Sequence, residues 1–301
     1  MHLTMAKGVS YMLLLTIIQD DNNEGFIENL RNIREQFKFK NVKVGISERI
    51  ENGYDIIKVY CDDEGYSEKF QRIFDIYIGN IIFKEVVEKF CKTNLGKFLA
   101  KNFYFLKVND IQEVKNNIVY ILKNDGDKIN DDNIYYINKK NDIVENIIHC
   151  IEENRELNIK GFFTFRLKSI YNELNNIVEK IIEKFMVEKE YNEFIKLLKY
   201  FIEVQESKIE RVHIIIDNEG KYNVKDDLGK DIFQQLVYEL YDERITGDVT
   251  EEDLLLSGLI TNCPNKIIFH CACNCKNKEL IETIKNVFGE RVEFRDDIMI
   301  F

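Results

Sequence analysis

The sequence predicts a mostly helical α+β protein with three parts: a small N-terminal α+β unit, a central helical bundle, and a C-terminal mixed-sheet α/β unit with a β-α-β crossover. Three observations lead to this prediction. Short apolar and β-branched runs stand near both ends of the chain. Between residues 66 and 206, apolar residues recur at helical spacing in nearly every window. Near the C-terminus a strand, an amphipathic helix and a strand follow one another, which is the pattern of a parallel crossover.

The N-terminal unit is predicted over residues 12–64. Its elements are a strand, a helix and two further strands, at residues 13–18, 23–37, 42–46 and 54–60. The last two strands are joined by Asn52-Gly53, a pair typical of hairpin turns. Residues 1–11 are expected to be a disordered leader, because the first strand begins near Met12, which is an alternative to Met1 as the true start.

A helical bundle is predicted over residues 65–207, with about five helices. Breaks between the helices are expected at Gly96, in the polar cluster at residues 123–127 and at residues 152–154, because Gly, Asn and Asp favour turns. The most regular apolar pattern of the whole chain falls at residues 161–206. The long helix predicted there is therefore expected to be a core element of the protein.

This long helix carries two apolar stripes, which are rotated by roughly a third of a turn relative to each other. The first consists of Phe163, Leu167, Ile170, Leu174, Ile177, Val178, Ile181, Ile182 and Phe185, and the second of Tyr191, Phe194, Ile195, Leu198, Phe201 and Ile202. The rotation predicts either a kink or tight turn at residues 187–190, or an uninterrupted helix that contacts two different partners. Four side chains of these stripes are expected to be deeply buried: Leu174, Ile181, Phe194 and Leu198.

Strands return in the C-terminal unit, which is predicted over residues 208–301. The predicted strands lie at residues 212–216, 222–224, 266–271 and 291–294, and the predicted helices at residues 231–241, 251–259 and 277–288. The first two strands form a hairpin, because Gly220 ends a short polar turn between them. Thr250 and Asp253 have the spacing of a capping box, which opens the second of these helices.

Composition and charge argue against several classes of function. The chain has 42 Lys and Arg residues against 53 Asp and Glu residues, for a net charge of −11 at pH 7. Because phosphate contacts need clustered Lys and Arg, this balance argues against general nucleic-acid binding and against binding to anionic membranes. The apolar run at residues 11–18 is too short to span a bilayer. Seven Cys residues, an odd number, fit reduced thiols and a cytoplasmic location.

Phe162, Phe165 and Arg166 fall away from the apolar face of the long helix. One interpretation is that a neighbouring helix covers this second face. The other is a contact surface for a protein partner, because aromatic and Arg side chains are enriched in interfaces and concentrate their energy. If the protein acts by binding, these three residues are the predicted binding site.

Metal-ligating residue types are densest between Cys263 and Cys275. Thiolate and imidazole groups such as Cys263, His270, Cys271, Cys273 and Cys275 hold Zn²⁺ in many proteins. The spacing here is C-x-C-x-C rather than the paired C-x2-C of structural zinc sites, and in a strand His270 and Cys271 point to opposite faces. A reduced, thiol-rich strand end is the other interpretation, and no cofactor is predicted.

Recognised catalytic motifs are absent from the sequence. It contains no P-loop, no H-E-x-x-H and no G-x-S-x-G. The loop at residues 272–276 lies between a predicted strand and a helix N-terminus, where open α/β sheets bind ligands, but it has no Gly to cradle a phosphate. His149 and Cys150 point about 100° apart on a helix, so they form no local ligand pair, and His149 is expected at the core or its boundary. Whether the chain is an enzyme stays open.

Four segments of the sequence resemble the YtxC-like family. They are GFFTFRLK from Gly161, VEKEYNEFIKLLKYF from Val187, SGLITNCP from Ser257 and IKNVFG from Ile284. The resemblance covers residues 12–294, with the segments in order along the chain. It implies a cytosolic protein of endospore-forming bacteria that is linked to sporulation by the names of its relatives. It implies no catalytic residue, ligand or fold.

Two functions from different classes follow from these observations. The first is a non-catalytic, sporulation-associated protein of the cytoplasm that acts by protein-protein interaction, with an unknown protein partner. The second is a ligand- or metal-binding protein, or an enzyme, that uses the loop at residues 272–276 and the neighbouring Cys residues. The absence of catalytic motifs favours the first.

Overall fold

A computed structural model describes the chain at residues 2–4, 10–19, 24–38, 42–124, 131–153, 155–238 and 250–295. Of these residues 63% are helical, and the strands form two small mixed sheets. The chain is therefore the mostly helical α+β protein that the sequence predicts. It divides into two compact units, Met1–Phe185 and Met186–Phe301. The predicted N-terminal unit and most of the predicted bundle fall in the first unit, while the second begins within the long helix and not at residue 208.

The first unit contains a five-stranded sheet. Its strands are β1 (His2–Thr4), β2 (Ser10–Gln19), β3 (Val44–Glu51), β4 (Tyr54–Asp62) and β5 (Glu156–Asn158). The order is β1-β2-β4-β3, and β5 pairs in parallel with β2. The predicted hairpin is confirmed, because Glu51 pairs with Tyr54 across the two-residue turn Asn52-Gly53.

Strand β1 overlaps the leader for which disorder was expected. His2, Leu3 and Thr4 pair antiparallel with Met12, Tyr11 and Ser10 of β2. Residues 2–4 and 10–11 are thus strand residues that pair through their main chains. The sequence of these residues mixes polar and apolar types, so it does not indicate this pairing. The remaining residues of the expected leader, 1 and 5–9, lie outside the described part of the chain.

Helix α2 is the packing centre of the first unit. The helices that begin in this unit are α1 (Glu24–Lys38), α2 (Glu68–Thr93), α3 (Leu95–Asn102), α4 (Val108–Lys123), α5 (Asp131–Glu152) and α6 (Ile159–Val204). Helix α2 contacts α1, α3, α4 and α5. Its approach to α5 is close at Gly79, where a β-carbon would lie 3.1 Å from the side chains of Val144 and Ile148. A larger residue there would push the two helices apart.

A buried ion pair joins α2 to the turn that follows α5. The side chain of Asp75 is only 1% exposed, and Arg155 Nη1 donates to both of its carboxylate oxygens at 2.8 Å. Gln71 Nε2 donates to the same carboxylate at 2.9 Å. Because a buried carboxylate needs such partners, this pair fixes the turn from which β5 begins.

Helix α6 is one uninterrupted helix of 46 residues, so there is no turn at residues 187–190. This confirms the alternative of a continuous helix with two different packing faces, since Leu174 lies in the core of the first unit and Ile195 in the core of the second. The prediction that Phe194 is deeply buried is wrong, because its side chain is 51% exposed. Ile181 and Leu198 are only partly buried.

The second unit is built on a four-stranded mixed sheet of order β7-β6-β8-β9. Its strands are β6 (Arg211–Ile216), β7 (Tyr222–Lys225), β8 (Lys266–His270) and β9 (Val292–Arg295), and its shorter helices are α7 (Phe233–Val237), α8 (Glu251–Asn262) and α9 (Lys278–Phe288). Strands β8 and β9 are parallel, which confirms the predicted crossover through α9. The predicted capping box of Thr250 and Asp253 is also present. Residues 239–241 of the first predicted helix lie outside the described residues.

One face of this sheet packs on the hydrophobic core of the second unit. Alternate residues of β6 and β8 belong to that core: Val212, Ile214, Ile216, Ile267 and Phe269. Ile195 and Ile202 of α6 and apolar side chains of α7, α8 and α9 complete it. By the two-residue period of a strand, His213 and His270 lie on the opposite face of the sheet.

Candidate functional site

The second half of α6 exposes a row of large apolar side chains, which we call the α6 stripe. Its members are each between 40% and 68% exposed and are Val187, Tyr191, Phe194, Leu197, Tyr200, Phe201 and Val204. On the adjacent side of the helix, Ile195 and Ile202 are buried and Leu198 packs against the core. The apolar surface of this part of α6 is therefore wider than the surface that the core of the second unit covers.

The area of the α6 stripe is large for a single chain. At these exposed fractions each side chain leaves on the order of 100 Å² accessible. Seven of them together expose on the order of 700 Å², close to the roughly 800 Å² that one partner contributes to a standard protein-protein interface. Five of the seven lie within about 100° of the helix circumference and form one patch of on the order of 500 Å²: Val187, Phe194, Leu197, Phe201 and Val204. Tyr200 borders this patch on one side, and Tyr191 borders it on the other, at the edge of the core, where its hydroxyl lies 3.1 Å from Thr283 Oγ1. Scattered apolar residues are normal on a surface, but a patch of this size is typical of an interaction site.

The first half of α6 lies beside a groove of about 280 Å³ in the first unit. The groove is lined by Ile143, Asn146, Ile147, His149, Cys150 and Glu153 of α5 and its end, and by Phe162, Arg166, Ser169, Ile170 and Glu173 of α6. The structure thus brings two of the three predicted binding residues, Phe162 and Arg166, to one groove. The third, Phe165, does not line the groove and is 81% exposed.

The placement of two of these residues differs from the sequence analysis. Phe162 is buried, and residues of α5 line the same groove, which agrees with the interpretation of a covering helix rather than of an open contact surface at this position. His149 is not a core or boundary residue, since its side chain is 71% exposed and its Nδ1 lies 3.6 Å from Glu152 Oε2.

A polar network with two buried His side chains lies on the second face of the β7-β6-β8-β9 sheet. His213 Nδ1 is 3.0 Å from His270 Nε2, and the two rings are stacked with centroids 5.3 Å apart. Neither His is exposed to solvent. His213 Nε2 lies 3.1 Å from Asp227 Oδ1, and Arg211 Nη1 lies 3.4 Å from the same oxygen. The network links β6, β8 and the turn after β7 through side-chain polar contacts.

A tight turn holds Asp227 in this network. The preceding residue, Asp226, accepts hydrogen bonds from the backbone N–H groups of Leu228 and Lys230 at 2.9 and 3.0 Å. Gly229 has φ of 76°, in the left-handed region where glycine avoids the strain of a β-carbon. The same arrangement occurs one hairpin earlier, from Asp217 to Lys221, so the motif D-x-x-G-K is repeated in sequence and structure. In that turn the backbone N–H of Lys221 lowers the pKa of Asp217 below its usual value.

Comparison with known families identifies the chain. A model of the YtxC-like family matches residues 76–293, which include α6, the His213 network and the C-terminal Cys residues. The chain belongs to the YtxC-like family. It is 31% identical over 146 residues to the uncharacterized protein YtxC of Bacillus subtilis (strain 168), a match that covers 48% of this chain and 50% of that relative. The match therefore spans about half the length of the curated relative, and no solved structure matches the chain.

This YtxC-like protein does not bring its C-terminal Cys residues together. Cys263 lies three residues before β8 begins, is buried, and donates to the carbonyl oxygen of Ile202 at 3.3 Å. Cys271, Cys273 and Cys275 follow the other end of β8, whose five residues span roughly 16 Å. Among the described residues, no group of three or more His, Cys, Asp and Glu side chains is placed to hold a metal ion.

The three Cys residues after β8 also differ in their surroundings. Cys273 is exposed and Cys271 is partly buried, whereas Cys275 is buried and its thiol donates to the carbonyl oxygen of Asn277 at 3.1 Å. The Cys275 sulfur lies 3.3 Å from the hydroxyl of Tyr222. Burial, with the contacts to Cys275 and Glu252, raises the pKa of Tyr222 above its usual value. The buried thiols of this YtxC-like protein thus serve as local packing and hydrogen-bonding groups.

The sequence predicts an apolar stripe that includes Tyr191, Phe194 and Phe201, but it predicts neither the exposure of these side chains nor the His213 network. A signal for the stripe is present, because Val187, Phe194 and Phe201 are spaced by seven residues. For the network the only signal is that His213 and His270 each stand in a β-branched or aromatic run. In the part of this YtxC-like chain that the structure describes, no helix has the length and apolar character needed to cross a membrane.

Proposed function

We propose that this YtxC-like protein is a cytoplasmic, sporulation-associated protein that acts by binding another protein chain through the α6 stripe. Catalysis is not part of this proposal. The single observation that carries it is the row of seven apolar side chains that stay accessible on one helix. Exposed Phe and Tyr side chains reduce solubility unless a partner covers them, so such a row is characteristic of an interaction surface.

The chemistry of the stripe supports protein binding over small-molecule binding. The stripe is a convex helix face of about 26 Å from Val187 to Val204, at 1.5 Å per residue. Small ligands bind in concave sites that bury most of their surface, whereas a helix face matches the surface of another protein. Aromatic residues provide four of its seven members, and these are the residue types that concentrate binding energy when they are desolvated.

The link to sporulation and to the cytoplasm is supported by the family resemblance and by Cys usage. The segments that carry the resemblance include residues 187–201, which contain most of the α6 stripe. All seven Cys residues are free thiols in the structure, as suits a reducing compartment. If the α6 stripe binds the partner, a charge introduced into the stripe should reduce spore formation without affecting the fold.

The test is the substitution Phe194→Glu, made in the chromosomal gene of an endospore-forming bacterium that encodes this protein. We expect fewer heat-resistant spores, because a carboxylate in the middle of the stripe opposes desolvation by a partner. Asn192→Glu is the matched control, since it introduces the same charge on an exposed part of the same helix outside the stripe. Equal spore yields for the two variants, with both proteins present at normal levels, would contradict the proposal.

A further inference from the structure

The α6 stripe has the repeat of a helix-helix seam. Val187, Phe194 and Phe201 are spaced by seven residues, and Leu197 and Val204 follow the last two of them by three residues. These are the spacings of the a and d positions of a heptad, which face a partner helix along its length. Glu190 occupies the first d position and interrupts the apolar seam at one end.

The order of residues in the seam is self-complementary when two copies run in opposite directions. A two-fold axis between Ile195 and Lys196 places Val187 of one copy opposite Val204 of the other and Phe194 opposite Leu197. It places Glu190 opposite Phe201, in a layer that Tyr200 of the second copy also borders. A two-fold interface uses the same surface on both copies, and here the same six positions supply every layer.

The charge at Glu190 distinguishes the two possible directions. In a parallel pair the two Glu190 carboxylates would face each other within an apolar seam, where like charges repel and lack solvent. In the antiparallel pair each Glu190 lies in the second layer from an end of the seam, next to the ring of Phe201 and the phenol group of Tyr200 of the other copy. The area is also sufficient, since the five apolar seam residues expose on the order of 500 Å² on each copy, and two copies together reach the roughly 1,000 Å² that a specific interface needs.

We propose that the occupant of the α6 stripe is a second copy of this chain, bound antiparallel through α6 as a two-fold dimer. This inference rests on the part of the proposed function that makes the stripe a protein-binding surface. It goes further by naming the partner and the register of the contact. The second copy presents the same groups as the first: apolar side chains at heptad spacing, with one Glu190 carboxylate near each end of the seam.

Sedimentation of the full chain in reducing buffer, from about 1 to about 200 μM, tests whether the second copy binds. We expect a concentration-dependent dimer for the unmodified protein. Phe194→Glu and Leu197→Lys, each alone, should weaken it by at least about tenfold in Kd, because each places a charge opposite an apolar residue. Asn192→Glu should leave the dimer unchanged. Because Phe194 and Leu197 are 51% and 68% exposed, these variants should keep the helical signal of the unmodified chain.

Mixing the two weakened variants tests the direction. In an antiparallel pair the introduced carboxylate of one variant faces the introduced ammonium of the other, so the mixture should form a mixed dimer at least about tenfold more tightly than either variant alone. In a parallel pair the two charges never share a layer, and mixing should restore nothing. A mixture that forms dimers no more tightly than either variant alone would overturn the antiparallel register.

Other outcomes also decide the proposal. A chain that stays monomeric up to about 200 μM would overturn the second copy as partner. A dimer that Phe194→Glu leaves intact would do the same, because the contact would then lie elsewhere. Neither result bears on spore yield, so a monomeric chain whose Phe194→Glu variant still loses spores would reject this inference and keep the proposed function. A dimer lost in Phe194→Glu together with a normal spore yield would keep this inference and reject the link between the α6 stripe and sporulation.

Discussion

His213 Nδ1 lies 3.0 Å from His270 Nε2, on neighbouring parallel strands and without exposure of either side chain. The roles of the nitrogens follow from Asp227, whose carboxylate 3.1 Å from His213 Nε2 can only accept a hydrogen bond. A neutral His213 ring that donates through Nε2 to Asp227 has an acceptor at Nδ1, which faces His270 Nε2. The carboxylate of Asp227 and the two buried rings thus form one continuous chain of polar contacts.

This network predicts a large loss of stability for His213→Ala. The substitution removes a buried ring and the hydrogen-bond partner at 3.0 Å from His270 Nε2, which together should lower the free energy of unfolding by about 2–4 kcal/mol. Asp227→Ala should lower it by less than about 1 kcal/mol, because Asp227 is 45% exposed and water can replace it. Urea unfolding followed by circular dichroism measures both. Equal losses in the two variants would contradict the role of burial.

A second prediction compares two apolar residues of α6 that the sequence does not distinguish. Leu174 is fully buried, so Leu174→Ala should lower the free energy of unfolding by about 2–5 kcal/mol through lost transfer energy and a cavity. Ile181 belongs to the same predicted stripe but is only partly buried, so Ile181→Ala should have a clearly smaller effect. The midpoint of urea unfolding gives the comparison. A larger loss for Ile181→Ala would mean that its partial exposure is not maintained in solution.

The elements that the sequence predicts well are those fixed by residues close together along the chain. The Asn52-Gly53 hairpin and the Thr250 and Asp253 capping box each depend on groups within four residues, so local spacing is sufficient to find them. The family resemblance likewise needed only short segments. The short strand β5 has no such local signal, because its three residues are ordered by pairing with β2.

The candidate site could not be predicted in the same way, because it depends on which faces find a partner. Phe194 and Ile195 are adjacent and similarly apolar, yet only Ile195 meets the core of the second unit. Periodicity shows that an arc of a helix is apolar but not how much of that arc its own fold covers. Asp227 reaches His213 only through a turn that closes after β7, a contact that no spacing rule contains.

The third prediction concerns pH and the edge of the second sheet. Lys266 and Arg295 both pair with Glu293, and these contacts, that of Lys266 first, lower the pKa of Glu293 to about 2. A carboxylate with a lowered pKa in the folded state adds stability above its unfolded pKa of about 4.3, and that stability is lost as pH falls toward 2. The difference in unfolding free energy between the unmodified chain and Glu293→Gln should therefore shrink between about pH 5 and about pH 2.

The control for this prediction is Lys266→Met, which removes the first cause of the shift and keeps the aliphatic part of the side chain. In that variant the pKa of Glu293 should move back toward its usual value. The pH range over which the stability contributed by Glu293 is lost should therefore become narrower. Titration of the Glu293 carboxyl by NMR measures the pKa directly. A midpoint near 4 in the unmodified chain would show that the two ion pairs are not formed in solution.

The last prediction concerns Arg166, which lines the groove between α5 and α6 with two acidic residues, Glu153 and Glu173. Arg166 is exposed, so its replacement should change the free energy of unfolding by no more than about 0.5 kcal/mol. Arg166→Glu would make the charged lining of the groove more acidic and remove the guanidinium group. If the groove and the adjacent exposed Phe165 form a second contact surface, Arg166→Glu should reduce spore yield while the chain stays folded.

Lys168→Glu is the matched control for Arg166, because it makes the same charge change on an exposed residue of α6 that lies about 200° around the helix. The expected order of spore yield is therefore unmodified chain and Lys168→Glu together, and Arg166→Glu below them. Unfolding of the Arg166→Glu protein would instead mean that Arg166 is structural, since a contact residue can be reversed in charge without loss of the fold. Normal spores with a folded Arg166→Glu protein would remove the groove as a contact surface and leave the α6 stripe as the surface through which the protein is proposed to act.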